Sequence, residues 1–267
     1  MAPFKTAQKI IQDTNGNEVA MIRVDKNLKE MMAELPSSRW SSDFWHPKYE
    51  VLLRELGEYK FLSDFNDLLT SGFRGTLQFV NKGIPALKVR NVLDTGLDLF
   101  DIDYLTENSP ANTESKSVQF GDIIINRSGT GSIGRMAILT KKFKVIITGD
   151  VYLFRVKNIN PFYVTIFLKT KYGKEQIHRF ETGVSGQTKI DLEEILNIRI
   201  SLLSDIVQKN IEVKYKTMSE YHDEAMKAKK DGNEVEYKKN IEKAEKLLKD
   251  LIARTEAVIR GERDDVI

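Results

Sequence analysis

The sequence predicts an α+β protein in which a globular β-rich domain is followed by a long helical hairpin or coiled-coil arm. Short runs rich in β-branched residues, separated by turns, occupy residues 61–203. From residue 205 onward the apolar residues recur at intervals of three and four, which is the helical period. At roughly 100–200 residues per domain, a chain of 267 residues has room for such a domain and such an arm.

The composition excludes several classes of protein. The chain contains no Cys, which excludes a disulfide scaffold, a Cys-ligated zinc site and a thiol nucleophile. Its three His residues are far apart and lack metal-ligand spacing, so no metal site is predicted. No apolar run approaches the roughly 20 residues that span a bilayer. We therefore expect a soluble, cytoplasmic protein that does not contact a membrane.

The net charge of +2 hides an uneven distribution of charge along the chain. Residues 1–117 carry 14 basic and 17 acidic side chains, for a net charge of −3. Residues 118–204 carry 13 and 7, for +6, and residues 205–267 carry 14 and 15, for −1. The middle segment is therefore the part of the chain suited to bind a polyanion.

Residues 1–39 are interpreted as an N-terminal extension that contains a hairpin and a short helix. Asn15-Gly16 favours a type I′ turn between two apolar runs, because both central residues of that turn have positive φ. The short helix is expected over residues 28–35. A further helix is predicted over residues 47–56, where the apolar residues share one helical face.

Residues 40–204 are interpreted as the β-rich domain. Alternation predicts a strand over residues 87–92, in which Lys88 and Arg90 share a face. A helix is expected from Pro161 to Tyr172, closed by Gly173. Further strands are predicted over residues 122–126, 135–140, 144–147, 151–157 and 197–203, and an N-cap at Asp191.

Residues 205–267 are interpreted as the helical arm, a coiled-coil region for dimerisation and subunit docking. Two apolar stripes with the a/d spacing of a coiled coil are separated by Asp231-Gly232-Asn233. A hairpin of two helices is the first interpretation, and one long helix kinked near Gly232 is the alternative. His222 falls on the first stripe, where a polar residue can set the register. The seam toward a second copy or a partner is expected at Ile211, Tyr215, Met218, Ile241, Leu248 and Leu251.

The segment from Gly129 to Gly134 reads G-x-G-x-x-G, the pattern of a dinucleotide-binding loop. That mechanism needs a helix directly after the glycines, so that its N-terminus receives the pyrophosphate. Here the chain continues from Arg135 as a predicted strand, which favours a tight turn between two strands. The turn could still contact an anion through its flanking residues Arg127, Ser128 and Arg135.

Three sequence blocks, in this order, resemble the target-recognition domain of type I restriction–modification specificity subunits. The first runs from Asn81 to Val92 and contains Gly83-Ile84-Pro85. The second runs from Phe120 to Ile138, and its Arg127-Ser128-Gly129 and Ile133-Gly134-Arg135 make it the most specific of the three. The third runs from Thr182 to Ile190 and leads on to Ile211, where a helix is predicted. The resemblance covers roughly residues 40–260, but the Ile-Pro-Leu-Pro segment usual at the end of the domain is here Ile200-Ser201-Leu202-Leu203.

The resemblance implies a non-catalytic, sequence-specific DNA-binding subunit. Such subunits usually hold two recognition domains, and this chain has length for one, so the resemblance implies a half-subunit that reads half of a bipartite target on double-stranded DNA. Its partners would be the methyltransferase and restriction subunits, and it would pair as a homodimer through the arm. S-adenosylmethionine, ATP and Mg²⁺ would belong to those partners, so no cofactor is expected in this chain.

Three alternatives remain open. The chain could be the C-terminal specificity fragment of a fused methyltransferase–restriction enzyme. It could be a nucleotide-binding enzyme that uses the Gly129–Gly134 loop. It could also be a coiled-coil scaffold whose β-rich domain binds protein.

The two glycine turns of the domain are the predicted DNA-reading elements. A glycine backbone permits close approach, Arg and Lys can contact guanine, Gln can contact adenine, and all of them can hold phosphate. The candidates are Arg127, Ser128, Thr130 and Arg135 in the first turn, Gln187, Thr188 and Lys189 in the second, and, as a second group, Arg74, Arg90 and Asn91.

Overall fold

The structure is a computed structural model that describes residues 7–12, 18–23, 44, 46–129, 131–183 and 188–267. Contacts within the chain divide it into two units, residues 1–51 and 52–267. The first unit contains an antiparallel hairpin of β1 (Ala7–Gln12) and β2 (Glu18–Arg23), which confirms the predicted hairpin. The turn of that hairpin and the helix predicted over residues 28–35 lie outside the described residues.

The described strands of the second unit form two larger sheets and one short pair. The strands are β3 (Tyr59–Phe61), β4 (Asn66–Ser71), β5 (Phe79–Val80), β6 (Ile84–Leu87), β7 (Asp103–Leu105), β8 (Ser117–Val118), β9 (Ile123–Asn126), β10 (Met136–Ile138), β11 (Val145–Ile147), β12 (Val151–Val156) and β13 (Arg199–Ser201). One sheet has the order β10-β9-β12-β4 and is antiparallel throughout. The other has the order β5-β7-β6-β11-β8, with β6 and β11 parallel, and β13 pairs with β3.

The helices begin with α1 (Pro47–Arg54), close to the predicted range. The others are α2 (Pro161–Lys169), α3 (Lys171–Phe180), α4 (Leu192–Leu196), α5 (Asp205–Lys230) and α6 (Glu234–Ile259). The last two contain 26 residues each, so each is about 39 Å long at 1.5 Å per residue. Gly232, with φ 75°, lies in the turn between them. The arm is therefore a helical hairpin, which confirms the first of the two interpretations.

The core of the domain lies between the two larger sheets. Ile124 pairs in register with Ala137 and Leu153, and all three pack in one cluster with Leu87 and Ile147 of the other sheet. The residues that point to the opposite face of β9 are buried as well, because α2 covers that side and contacts β10. A strand buried on both faces needs no polar alternation, which explains the unbroken isoleucines of β9.

Two local predictions differ from the structure. The strand predicted over residues 87–92 ends at Leu87, and Val89–Asn91 form a 3-10 turn. The turn forms because Asn91 Oδ1 accepts a hydrogen bond from the Lys88 N–H at 3.0 Å, which competes with strand geometry.

The helix predicted from Pro161 to Tyr172 is in fact two helices. Thr170 ends α2, and its side chain caps the N-terminus of α3. Gly173 therefore lies inside α3, where an added Cβ would meet the Leu168 Cα at 2.3 Å. The glycine serves close packing between the two helices and does not end the first.

The arm is attached to the domain through α2, which contacts both α5 and α6. At its start, the Asn160 side chain accepts a hydrogen bond from Phe162 N–H and donates one to Glu212 of α5. Burial acts to raise the pKa of Glu212, but hydrogen bonds from Lys216, Lys209 and Asn160 hold it at about 2. The arm is therefore attached to the domain by the packing of α2 against α5 and α6, and by the hydrogen bond from Asn160 to Glu212 at the edge of that contact.

His222 makes a second attachment between the arm and the domain. The ring is buried, and Nδ1 lies 2.8 Å from Thr95 Oγ1. A Cβ added at Gly96 would lie 2.4 Å from the ring, so the glycine is required for this fit. Burial lowers the pKa of His222, an effect that the carboxylates of Asp223 and Asp98 oppose.

The buried ion pair of Asp122 and Arg155 yields a stability prediction. The Asp122 side chain is 1% exposed and accepts two 2.7 Å hydrogen bonds from the guanidinium. Asp122→Asn should lower the free energy of unfolding by about 2–4 kcal/mol, because it leaves a largely desolvated cation without its counter-charge. The measurement is urea denaturation. In the control, Asp101→Asn removes a pair whose side chains are 45% and 68% exposed, at a cost of at most about 1 kcal/mol. Equal losses in both variants would contradict the prediction.

His222 yields a pH prediction. Burial lowers the pKa of His222 in the folded protein, whereas in the unfolded chain the ring titrates near a pKa of about 6.5. The free energy of unfolding should therefore fall as the pH drops below about 6.5, by at most about 1.4 kcal/mol per pH unit. Denaturation between pH 7.5 and 5.5 measures this slope. His222→Gln should flatten it, and identical slopes in the two proteins would show that another group is responsible.

Candidate nucleic-acid interface

The first of the two predicted glycine turns lies beside the described end of the second. Residues 127–135 connect β9 to β10, with positive φ at Gly129, Gly131 and Gly134. Ser128 of this turn forms an antiparallel bridge with Lys189 of the second turn. Because β10 follows directly, no helix N-terminus stands after the glycines to receive a pyrophosphate. The strand–turn–strand interpretation is confirmed.

Arg127 links the two turns from within. Its carbonyl accepts a hydrogen bond from Ile190 N–H at 3.0 Å, and its side chain lies 3.2 Å from an Asp150 carboxylate oxygen and 4.0 Å from one of Asp191. The hydroxyl of Tyr152 donates to the same Ile190 at 3.0 Å. Arg127 is only 15% exposed. Its main role in the folded chain is therefore to hold the two turns together.

The other candidates of the two turns are more accessible. Arg135 donates to the Gly131 carbonyl at 3.1 Å and is partly exposed. Lys189 lies 2.9 Å from Asp191 and is more exposed still. Ser128 and Thr188 are half-buried at the surface. Thr130 and Gln187 lie outside the described residues.

Arg74 and Arg90, from the second group, line one open cavity of about 680 Å³. Phe73, Phe79 and Lys88 also line it, and Lys88 Nζ lies 3.6 Å from the centre of the Phe79 ring. Sequence reasoning missed Lys88, although its position two residues from Arg90 was a usable signal. Nothing in the sequence around Phe79 indicated that this exposed residue lines the cavity.

The charges around this cavity are mostly compensated. Arg90 lies 2.7 Å from Asp101 and 3.0 Å from Asp103, and Lys88 lies 2.7 Å from Asp103. Arg74 is exposed, and no acidic side chain in the described part of the chain lies within ion-pair distance of it. Arg74 is therefore a cation that a nucleic acid can reach without displacing a carboxylate.

Asp150 joins the cavity to the glycine turns. It lines the cavity and also pairs with Arg127. This ion pair places Arg127 of the first turn next to the cavity. We call the cations of the cavity and of the two turns the basic groove and define it by Arg74, Lys88, Arg90, Arg127, Arg135 and Lys189.

Asn91 does not belong to the exposed part of this groove. It is 1% exposed, and its amide N–H groups donate to the carbonyls of Asp98 at 3.1 Å and Asp101 at 2.8 Å. Its Oδ1 accepts from Lys88 N–H. The amide is fully used within the chain, which leaves it no donor for DNA, and its effect is to shape the segment that carries Lys88 and Arg90.

The predicted seam of the arm packs within the single chain. Ile211, Tyr215, Met218, Leu248 and Leu251 are buried, and Ile241 is half-buried. Tyr215 packs edge-on against Phe162 of α2, with the ring centres 5.5 Å apart. A partner of the folded chain would therefore meet the outer faces of α5 and α6. On α5 these expose the apolar side chains of Ile206 and Val213.

Neither a membrane span nor a metal cluster occurs in the described residues. No helix there combines the length and the hydropathy that crossing a bilayer requires. No group of three or more acidic or His side chains there is arranged to hold a metal ion.

A β-rich domain that presents a basic groove, joined to a helical arm, defines a nucleic-acid recognition module. The family described as type I restriction modification DNA specificity domain matches residues 81–236, more than half of the chain. The chain belongs to this family. Comparison with curated proteins gives no match.

Several solved structures resemble the chain, among them the following three. The S subunit of a type I restriction–modification system from M. genitalium is 12% identical, with a TM-score of 0.40 over 63% of this chain. The HsdS subunit from Thermoanaerobacter tengcongensis is 14% identical, with a TM-score of 0.41 over 81%. A chain from a structure on complex assembly in the type I R-M system is 14% identical, with a TM-score of 0.43 over 84%. The aligned part covers 39%, 52% and 56% of these chains, respectively.

Leu248 yields a prediction about the arm. Leu248→Glu should lower the free energy of unfolding by more than about 3 kcal/mol, because it removes an apolar side chain that is 7% exposed and buries a carboxylate. The control Val51→Glu, at a position of α1 that is 54% exposed and lies outside the arm, should change it by less than about 0.5 kcal/mol. Thermal denaturation together with sedimentation measures both effects. An unchanged melting temperature for Leu248→Glu would mean that α5 and α6 do not pack as described.

Proposed function

We propose that this chain reads one half of a bipartite sequence on double-stranded DNA and directs partner methyltransferase and restriction subunits to it. It acts as a non-catalytic specificity subunit in the cytoplasm, and S-adenosylmethionine, ATP and Mg²⁺ belong to the partner subunits. The observation that carries the proposal is the meeting of two glycine turns and a basic cavity in one groove of a family member.

The chemistry of the groove suits DNA in two ways. Arg74 is a cation without a carboxylate partner in the described part of the chain, and is placed for phosphate. Arg135 and Lys189 lie on turns whose glycines permit close approach to base edges, where Arg and Lys can recognise guanine. A phosphate-binding element beside a base-reading element is the arrangement that sequence-specific recognition requires.

The arm suits a role in spacing and assembly. Each of its helices is about 39 Å long, close to the roughly 34 Å of one DNA turn. A second copy bound to the arm would therefore place a second groove about one turn away. In this homodimer, the outer faces of α5 and α6 would form the interface, and the target would be palindromic.

The first experiment is selection of duplexes from a randomised pool with the full chain. An enriched half-site supports the proposal. Loss of binding to every duplex would favour a scaffold whose β-rich domain binds protein. Incubation with radiolabelled S-adenosylmethionine and the enriched duplex tests the enzyme alternative, because a specificity subunit transfers no methyl group until a methyltransferase subunit is added.

A substitution test follows from the groove. Arg74→Ala should weaken binding to the enriched duplex and reduce the slope of log K against log salt by about 0.9, the value for one phosphate contact. Lys229→Ala, an equally simple loss of an exposed cation on the arm, should leave the slope unchanged. Arg127→Ala should also weaken binding more than Lys229→Ala does, but Arg74 is the cleaner probe because Arg127 holds the turns together. Equal losses for Arg74→Ala and Lys229→Ala would place the binding surface elsewhere.

A further inference from the structure

A second cavity, of about 220 Å³, lies beside the first glycine turn. Gly131, Gly134 and Arg135 of the turn line it, together with Lys169 at the end of α2 and Lys174 of α3. The turn approaches α3 closely, since a Cβ added at Gly134 would lie 2.9 Å from Ile177. The G-x-G-x-x-G turn therefore forms a wall of this cavity.

Lys169 is the unusual residue of the cavity. Its side chain is 5% exposed, and buried lysines are rare unless an acidic group pairs with them. Nζ donates to the carbonyls of Asp94 at 2.9 Å and Met136 at 2.6 Å. No carboxylate in the described part of the chain lies within ion-pair distance of it. Two carbonyls use two of its three N–H groups and leave one N–H and the full charge without a partner.

The surroundings of Lys169 do not neutralise it. Arg135 and Lys174 add two positive charges, and Asp94 and Glu181 supply two negative ones, so the cavity carries a net charge of +1 when Lys169 is protonated. The pKa of Lys169 is lowered to about 8, chiefly by burial; Asp94 opposes this effect, and Lys174 and Arg135 contribute to it. A bound anion would reverse this destabilisation of the charged form.

We propose that this cavity binds the oxygens of a phosphoryl group, with Lys169 and Lys174 as its donors. The inference rests on the proposed function for its natural source, a phosphodiester of the DNA backbone beside the base-reading turn. Free phosphate shares the same chemistry and is the other source. The site explains why a charge is buried where the glycine turn meets α2 and α3.

The test measures binding of the full chain to the enriched duplex as pH and salt vary. For the wild type, affinity should fall about tenfold between pH 7 and pH 9, because the free protein loses the charge of Lys169 over this range. Lys169→Met should abolish this dependence. Lys174→Gln, at an exposed position where folding is not at risk, should reduce the salt slope by about 0.9. The matched control Lys142→Gln, an exposed lysine between β10 and β11, should retain both properties.

Inorganic phosphate alone separates the two sources and keeps the site testable if no duplex is enriched. Phosphate should raise the melting temperature of the wild type and of Lys142→Gln but not that of Lys174→Gln. If phosphate stabilises the wild type while the DNA binding of Lys174→Gln is normal, the site is supported with free phosphate as its ligand. If Lys174→Gln changes neither DNA binding nor the response to phosphate, the inference is overturned, whatever the outcome for the proposed function.

Discussion

The burial of α2 is the constraint on which the rest of the structure depends. Every residue from Phe162 to Lys169 is buried, because the helix lies between the four-stranded sheet and the arm. Such a helix must be apolar, and its end groups must be satisfied by its neighbours. Asn160 at the start bonds to the arm, and Lys169 at the end bonds to the carbonyls beside the glycine turn. One helix thus connects the arm to the candidate DNA-reading surface.

This connection gives the arm a fixed direction relative to the groove. Lys171 N–H donates to Glu256 of α6 at 2.6 Å, and Lys141 lies 2.9 Å from Asp223 of α5. Both helices of the hairpin are therefore tied to the domain as well as to each other. The proposed spacing of two half-sites would depend on this rigidity, because a flexible arm would spread the separation of two grooves over many base pairs.

The fold was largely predictable because its strongest determinants are local. The apolar period of the arm, the two apolar runs that form β1 and β2, and the β-branched strands each act within a few residues. One error came from a local side-chain hydrogen bond, that of Asn91 with the Lys88 N–H. The other came from a contact between helices, at Gly173, where the close approach needs the glycine. The site was predictable in part. The glycine turns carried a motif, but their bridge at Ser128 and Lys189 and the burial of Lys169 depend on segments that are distant in sequence.

The pairing of groove cations with carboxylates changes what the net charge of the domain means. Arg90, Arg127 and Lys189 all face aspartates, so a DNA phosphate must compete with a carboxylate for each of them. Competition of this kind weakens sequence-independent attraction, which is purely electrostatic. A base edge with two acceptors can still replace the carboxylate, because it forms two hydrogen bonds in a fixed geometry with the same cation. In the proposed complex, the paired cations would therefore bind DNA of any sequence less tightly but discriminate better between sequences. Arg74 and Lys169, which have no carboxylate within ion-pair distance in the described residues, would contact the backbone.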